Sequence, residues 1–232
     1  MSRRPRLVVP DVPLHIIQRG NNRNNCFFSS SDYHTYLRML KESADSAQCS
    51  IHAYVLMTNH VHLLVTPLHE RSASELMKST GERYVQFINR KYGRAGTLWQ
   101  GRYRSCLVQD DAYFMVCQRY IEMNPVRAGM VSNPALHKWS SHRAYAYGDI
   151  NPIITPHSLI DDLGLSKTSR QIAYRSLFDQ ALSNQAIHLL RDATNNNFAF
   201  GNEQFAINMA QKLGRRVVRR NSSTSMVMIE RQ

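Results

Sequence analysis

The sequence predicts an α+β fold: an antiparallel sheet with helices packed on one face, followed by a helical C-terminal extension. Three observations carry this expectation. Apolar residues alternate over residues 12–19, two further alternating runs over 51–57 and 60–66 are separated only by Thr58 and Asn59, and helical spacing fills the intervals. Period two sends successive side chains to opposite faces of a sheet, whereas period 3.6 gathers them on one side of a helix.

In residues 12–19, Val12, Leu14 and Ile16 share a face, and Gly20-Asn21-Asn22-Arg23 then breaks the strand as a polar loop. From Asp32 a helix aligns Tyr33, Tyr36, Leu37, Leu40, Ala44 and Ala47. Ile51, Ala53, Val55 and Met57 alternate again, and the two-residue turn returns the chain as an antiparallel hairpin. Ser72-x-x-Glu75 has capping-box spacing and opens a helix carrying Leu76, Met77, Thr80, Tyr84, Phe87 and Ile88, which Gly93 and Gly96 end. Residues 104–109 form a fourth strand. Asp110 caps a further helix to Met123, where Asn124-Pro125 breaks it. The order β-α-β-β-α-β-α is that of a ferredoxin-like, split βαβ core. Beyond Trp139-Ser140-Ser141-His142, residues 149–156 read as a linker with two prolines, and helical patterns follow near 158–164, 168–182, 184–193 and 202–213. The expected division is a core domain over 1–148, a helical region over 149–220, and a disordered Ser-rich tail over 221–232.

No apolar run approaches the roughly 18 residues that a membrane helix requires, and the N-terminus lacks the apolar stretch of a secretory signal. A cytoplasmic location with no membrane partner is expected. Cys26, Cys49, Cys106 and Cys117 contain no Cys-x-x-Cys pair, which argues against a zinc ribbon and for reduced core thiols. The 29 Lys and Arg against 17 Asp and Glu give a net charge of +12, the footprint of a polyphosphate partner.

Two features bear chemistry. On a strand, His60 and His62 of His60-Val61-His62 point to one face while Val61 enters the core, so two imidazoles can converge on one divalent ion. The same spacing also arises on a solvent-facing strand with no function. Tyr120, on the last core helix, shares a face with Asn124 four residues on. A helical tyrosine is ordinarily core packing. Together, however, the residues supply what phosphoryl transfer by a tyrosine requires. A phenol of ordinary pKa about 10 needs help at neutral pH, and a metal on His60 and His62 would polarise the phosphate. Asn124 could add an oxygen ligand from the nucleophile's own helix. Tyr113 is the fallback nucleophile.

The chain resembles the single-tyrosine transposases that carry a His-hydrophobic-His motif, and among them the REP-associated tyrosine transposases. The resemblance covers residues 5–148. It rests on Gly20-Asn21-Asn22-Arg23 with Phe27, Asn59-His60-Val61-His62, Trp99-Gln100-Gly101-Arg102-Tyr103-Arg104-Ser105, Tyr120 with Asn124-Pro125-Val126-Arg127-Ala128-Gly129, and Trp139-Ser140-Ser141. It implies a ferredoxin-like nuclease fold in which Tyr120 attacks single-stranded DNA, forms a 5′-phosphotyrosine and releases a 3′-hydroxyl that can later reseal the strand. His60 and His62 match the family's metal ligands, with Mg²⁺ or Mn²⁺ implied. Many relatives have Gln where this chain has the shorter Asn124.

The implied substrate is a REP-like DNA hairpin with a single-stranded 5′ flank. Candidate contacts are Arg3, Arg4 and Arg6 as a basic arm, Arg19, Asn21, Asn22 and Arg23 as a polar loop, and Gln100, Arg102, Tyr103 and Arg104 as a mixed cationic and aromatic stretch. Arg215, Arg216, Arg219 and Arg220 could grip phosphate or simply end a solvated helix. A monomer is favoured over a dimer. The competing readings are a non-catalytic hairpin-binding protein on the same scaffold and a water-using phosphodiesterase in which Tyr120 is structural.

Overall fold

A computed structural model describes residues 6–219. The strands are β1 (Leu14–Arg19), β2 (Cys49–Leu56), β3 (His60–Pro67), β4 (Arg104–Val108) and β5 (Ala199–Phe200), in the sheet order β2-β3-β1-β4-β5. The first four pair antiparallel, and β5 adds in parallel to β4. Between β1 and β2 runs α1 (Ser30–Ser46), and between β3 and β4 runs α2 (Ser72–Tyr92). The β1-α1-β2-β3-α2-β4 connectivity and strand order are those expected of the split βαβ class.

The sheet's two faces differ in what covers them. Leu14 and Ile16 of β1, with Val61, Leu63 and Val65 of β3, turn toward α1 and α2 and form the larger core with Tyr36, Leu40, Leu76 and Tyr84. These are the helices expected on one face. The opposite face is not open, because α3 (Ala112–Glu122) and α8 (Asn184–Asn196) cover it and bury Ala53, Val55, Leu64 and Cys106 with Phe114, Cys117 and Leu190. Helices therefore lie on both faces. The burial along the strands records this, since β2 and β3 are buried at nearly every position on both sides although one side of β3 carries His60, His62 and Thr66. All four cysteines are buried and unpaired, as reduced core thiols would be.

Several local signals resolve differently from expectation. The helix α1 begins at Ser30, and the Asp32 carboxylate accepts from the backbone N–H of Phe28 and Ser29, at 2.8 and 2.9 Å, closing its first turn. At α2 the Ser72–Glu75 capping box does not form; the Ser72 hydroxyl instead accepts from the His69 N–H. The cap of α3 is Asp111 rather than Asp110, and its carboxylate accepts from the Tyr113 N–H at 2.9 Å. The break after Met123 holds, and Asn124–Arg127 continue as a short separate helix, α4.

Residues 149–156, expected as a linker, lie against the outer edge of β2, where the Thr155 N–H donates to the Ile51 carbonyl at 2.7 Å. Beside them, α5 (His142–Tyr147), α6 (Ser158–Asp161) and α7 (Lys167–Ser176) pack around Tyr145, Ile160 and Tyr174. The Leu56 and Ser141 N–H groups bond across the same edge to Trp139 and Tyr54 carbonyls, which removes β2 as a free pairing edge. After β5, α9 (Glu203–Leu213) leads to residues 214–219, which return to the sheet through Val217. No helix among the described residues is long and apolar enough to cross a membrane. Arg3, Arg4, Arg220 and the 221–232 tail lie outside the described residues.

Candidate functional site

The register of β1 against β3 sets Arg19 opposite His60, Ile17 opposite His62 and His15 opposite Leu64. Residues opposite each other in a pair share a face, so His15, Arg19, His60 and His62 all turn toward α3 and α8. The hairpin face carrying the two histidines is therefore covered rather than exposed, and His62 is only 2% accessible. Tyr120 descends onto this face from α3. Its ring lies 5.8 Å from both the His62 and the His15 rings, edge-on to each. The His60 and His62 rings stand 5.1 Å apart.

Hydrogen bonding fixes which nitrogen of each imidazole is free. The Thr194 hydroxyl donates to the Leu190 carbonyl at 2.8 Å, one turn back on α8, and so must accept from His15 Nδ1 at 2.8 Å. His15 therefore carries its proton on Nδ1, and its bare Nε2 accepts from His62 Nδ1 at 2.8 Å. The His62 lone pair is left on Nε2. An independent chain reaches the same result at His60. The Asn59 amide donates to the Arg23 carbonyl at 3.0 Å, which turns its Oδ1 toward His60 Nδ1 at 2.6 Å. That Nδ1 is the donor, and Nε2 again keeps the lone pair.

Both rings are also held neutral. Burial, followed by the charges of Arg19 and Arg127, pushes His60 down to about 4. His62 lies well below its ordinary value, chiefly through burial and then through His15, His60, Arg19 and Arg127. Burial alone holds His15 down to about 3. Neutral imidazoles with Nδ1 committed and Nε2 free are the form that binds a metal, and such second partners orient ligating histidines. The donor set thus fits a divalent ion. Among the described residues no three His, Cys, Asp or Glu side chains form a metal cluster, so any further ligand must be an amide, water or substrate oxygen.

Asn124 is buried one turn after Tyr120. Its amide nitrogen donates to the Tyr120 carbonyl at 2.9 Å, and its Oδ1 accepts from Arg127 at 3.3 Å. Arg127 also places its guanidinium 4.1 Å above the Tyr120 ring centre. The Tyr120 hydroxyl accepts from Arg191 Nε of α8 at 3.3 Å. Tyr113 lies elsewhere in this layer, packed on Phe200 at 5.1 Å between ring centres.

The two groups of expected DNA contacts come together although about 80 residues separate them along the chain. Gly20 bridges to Trp99, the Asn21 N–H donates to the Leu98 carbonyl and the Gln100 N–H to the Arg19 carbonyl. Asn21, Asn22 and Arg23 are exposed, and Asn22 and Arg23 both hold positive φ, at 51° and 59°. Such a backbone is uncommon for arginine. Arg6, Arg19, Gln100, Arg102, Tyr103 and Arg104 line a cleft of about 490 Å³ together with Thr194, Asn195 and Asn197. The Tyr103 ring is covered by the Arg6 guanidinium at 3.6 Å, and Arg104 donates to Asn195 at 2.7 Å. Among the described residues, Arg19, Arg104, Arg127 and Arg191 form no ion pair, so several guanidinium charges converge near Tyr120 without a carboxylate. Of the C-terminal arginines, Arg219 lies 3.6 Å from Asp192.

Sequence reasoning missed His15, Arg127, Arg191 and Thr194. His15 alternates with the apolar face of β1 and was detectable as a neighbour of Ile17 and Arg19 at period two. Arg191 and Thr194 carry no local signal.

The model of the family described as "Transposase IS200 like" matches residues 8–124. Among solved structures, the chain is similar to a REP-associated tyrosine transposase bound to a REP hairpin, with 18% identity and a TM-score of 0.51 over 68% of this chain and 93% of that one. It also matches a provisionally named transposase from Deinococcus radiodurans, at 21% identity and a TM-score of 0.37, over 52% of this chain and 96% of that one. No curated protein matches.

Proposed function

The chain belongs to the IS200-like transposase family, whose model spans half of it, and from that premise we propose that it cuts and rejoins single-stranded DNA through Tyr120. The substrate is a REP-like palindromic hairpin with a single-stranded 5′ flank, in keeping with the hairpin carried by the structurally similar transposase. The carrying observation is the placement of Tyr120: its ring is 5.8 Å from His62, and its hydroxyl is bonded to a guanidinium.

In the first step, Tyr120 Oη bonds to phosphorus and the bond from phosphorus to the 3′ oxygen breaks. The phenol proton is given up and the leaving oxygen gains one, so a 3′-hydroxyl and a 5′-phosphotyrosine result. Attack by a 3′-hydroxyl on that phosphotyrosine reverses the bond changes and seals DNA with no external energy source. His60 and His62, with Asn124 if its Oδ1 turns from Arg127, would hold Mg²⁺ or Mn²⁺, which supplies Lewis acidity toward a phosphate oxygen. Arg127 stacks on the nucleophile's ring and ties its carbonyl and Asn124 together, so α4 fixes where Oη points. Arg19, Arg23 and the cleft over β4 would guide the single strand, with Arg6, Asn21, Asn22, Gln100, Arg102, Tyr103 and Arg104 as contacts and Arg3 and Arg4 as a further arm. A monomer suffices for this chemistry, since every group named lies in one chain.

The test is a labelled REP-like hairpin incubated with the full chain and Mn²⁺, then run on a denaturing gel. A covalent protein–DNA adduct that disappears in Tyr120→Phe, in His62→Ala and with chelator is the expected result. Cleavage without adduct, retained in Tyr120→Phe, would replace this reading with a water-using nuclease. Tight binding with neither would leave a hairpin-binding protein.

A further inference from the structure

We propose that Arg191, on α8, is a catalytic residue that holds the phosphoryl group on which Tyr120 acts. The inference rests on Tyr120 being the nucleophile. It adds a group from a part of the chain that the family match, ending at residue 124, does not reach.

Arg191 Nε donates to Tyr120 Oη at 3.3 Å, so this guanidinium already touches the atom that would bond to phosphorus. Arg191 is exposed on α8, and among the described residues it has no carboxylate partner. Among the described residues neither Nη has a hydrogen-bond partner, which leaves the guanidinium edge open to a ligand beside the phenol. An arginine kept for packing would be neutralised or covered. This one presents the fork that matches two phosphate oxygens.

The helix is also well fixed. Leu190 and Ala193 are buried in the core beneath it, and Thr194, three residues on and therefore on the same side, bonds to His15. One helix face thus reaches both the imidazole pair and the nucleophile. Arg127 lies over the flat side of the same ring, 4.1 Å from its centre, whereas Arg191 meets the hydroxyl through Nε from the exposed side.

During attack the bond from Oη to phosphorus forms while that from phosphorus to the 3′ oxygen breaks, and charge gathers on the non-bridging oxygens. The donor that met the phenol then lies beside those oxygens. The proton balance is that of the parent reaction: the phenol loses one, the 3′ oxygen gains one, and Arg191 keeps its own. In the reverse step the same guanidinium steadies the phosphotyrosine under attack.

The experiment measures single-turnover adduct formation on a labelled REP-like hairpin with Mn²⁺, and separately the Kd of that hairpin with chelator present. Arg191→Ala is expected to slow adduct formation by about 100-fold while changing Kd by less than about threefold. Arg191→Lys should recover part of the rate, and added methylguanidine should restore Arg191→Ala but not Tyr120→Phe. An unchanged adduct rate in Arg191→Ala overturns the inference while the wild-type adduct keeps the parent reading. Equal losses in rate and Kd without rescue also overturn it, since Arg191 would then be a general phosphate contact. A wild-type protein that binds and forms no adduct overturns both. Thermal unfolding of Arg191→Ala at the wild-type temperature is expected and excludes loss of α8.

Discussion

His15 Nδ1 ends on the Thr194 hydroxyl at 2.8 Å, so the ring that orients His62 is itself set by a helix 179 residues away in sequence. Replacing Thr194 by Val keeps the side-chain shape but removes the acceptor. His15 is then free to carry its proton on either nitrogen, and His62 loses its defined partner. Divalent affinity is expected to fall by about 10- to 100-fold, the usual cost of losing such support. Titration calorimetry with Mn²⁺ measures it. Unchanged affinity would mean that the relay from Leu190 through Thr194 and His15 has no bearing on the ligands.

A second buried network holds the end of α3. Glu122 is wholly buried, and its carboxylate accepts from the Ser141 hydroxyl at 2.6 Å, from the Tyr174 hydroxyl at 2.8 Å and from His142 Nδ1 at 3.0 Å. Glu122→Ala leaves those groups facing a void. The expected loss is about 3 kcal/mol, a fall in Tm on the order of 10 °C for a chain of this size. Glu122→Gln, which retains an acceptor, should lose less. A melting temperature within a degree of wild type for Glu122→Ala would show that the network contributes nothing net.

These two networks mark where sequence reasoning stops. The core strands and helices were legible because alternation and helical spacing report burial directly, and β1 to β4 fall where the apolar periods put them. The pair His60 and His62 was legible for the same reason, since strand geometry alone places them on one face. What lies over that face was not. The face reads as exposed only if α3 and the C-terminal helices are left out, and nothing in residues 184–196 says that Arg191 meets Tyr120. The Ser72–Glu75 pattern shows the opposite failure, a local match that another bond preempts when His69 takes the hydroxyl.

Burial of His52 makes stability fall in acid. Its Nδ1 donates to the Thr155 carbonyl and its Nε2 accepts from the Thr66 hydroxyl, both at 2.8 Å, so the neutral ring is fully satisfied. Burial above all lowers its pKa to about 4, below the ordinary 6.5. Between those values the unfolded chain binds a proton that the folded chain refuses, so stability is present above the upper value and drains away toward the lower. From pH 7 to pH 5 the contribution lost is about 2 kcal/mol. His52→Gln cannot titrate, and the difference between its urea midpoints and those of wild type over this range isolates the ring. Parallel profiles would contradict the assignment.

Gly20 ends β1 where two site segments cross. A Cβ there would lie 2.2 Å from the Asn24 carbonyl oxygen and 2.7 Å from Cys26 Sγ, and the first of these is backbone that cannot swing aside. Gly20→Ala is expected to cost about 1–3 kcal/mol by forcing the 21–26 loop outward. The same shift pulls Arg23 from Asn59, which orients His60, so divalent affinity should drop together with the urea midpoint. Loss of stability with affinity intact would uncouple the loop from the site.

The cleft over β1 and β4 makes a prediction that depends on charge alone. Arg19 and Arg104 are both exposed and both line it, and burial followed by the Arg104 charge holds Arg19 below its ordinary value. Two like charges kept together without a carboxylate gain when an anion enters. If a single strand runs through this cleft, each guanidinium that meets a phosphate releases condensed counterions. The slope of log K against log salt is then expected to shrink by about 0.7 for Arg19→Gln and again for Arg104→Gln. Arg143→Gln is the control, because Arg143 is paired with Asp149 on the far side of β2, at 2.6 Å. Anisotropy titrations of a short single-stranded oligonucleotide across a range of NaCl read the slopes. A loss of affinity at one salt concentration with the slope preserved would mean that these arginines shape the cleft through Asn195 and their neighbours rather than meeting phosphate themselves.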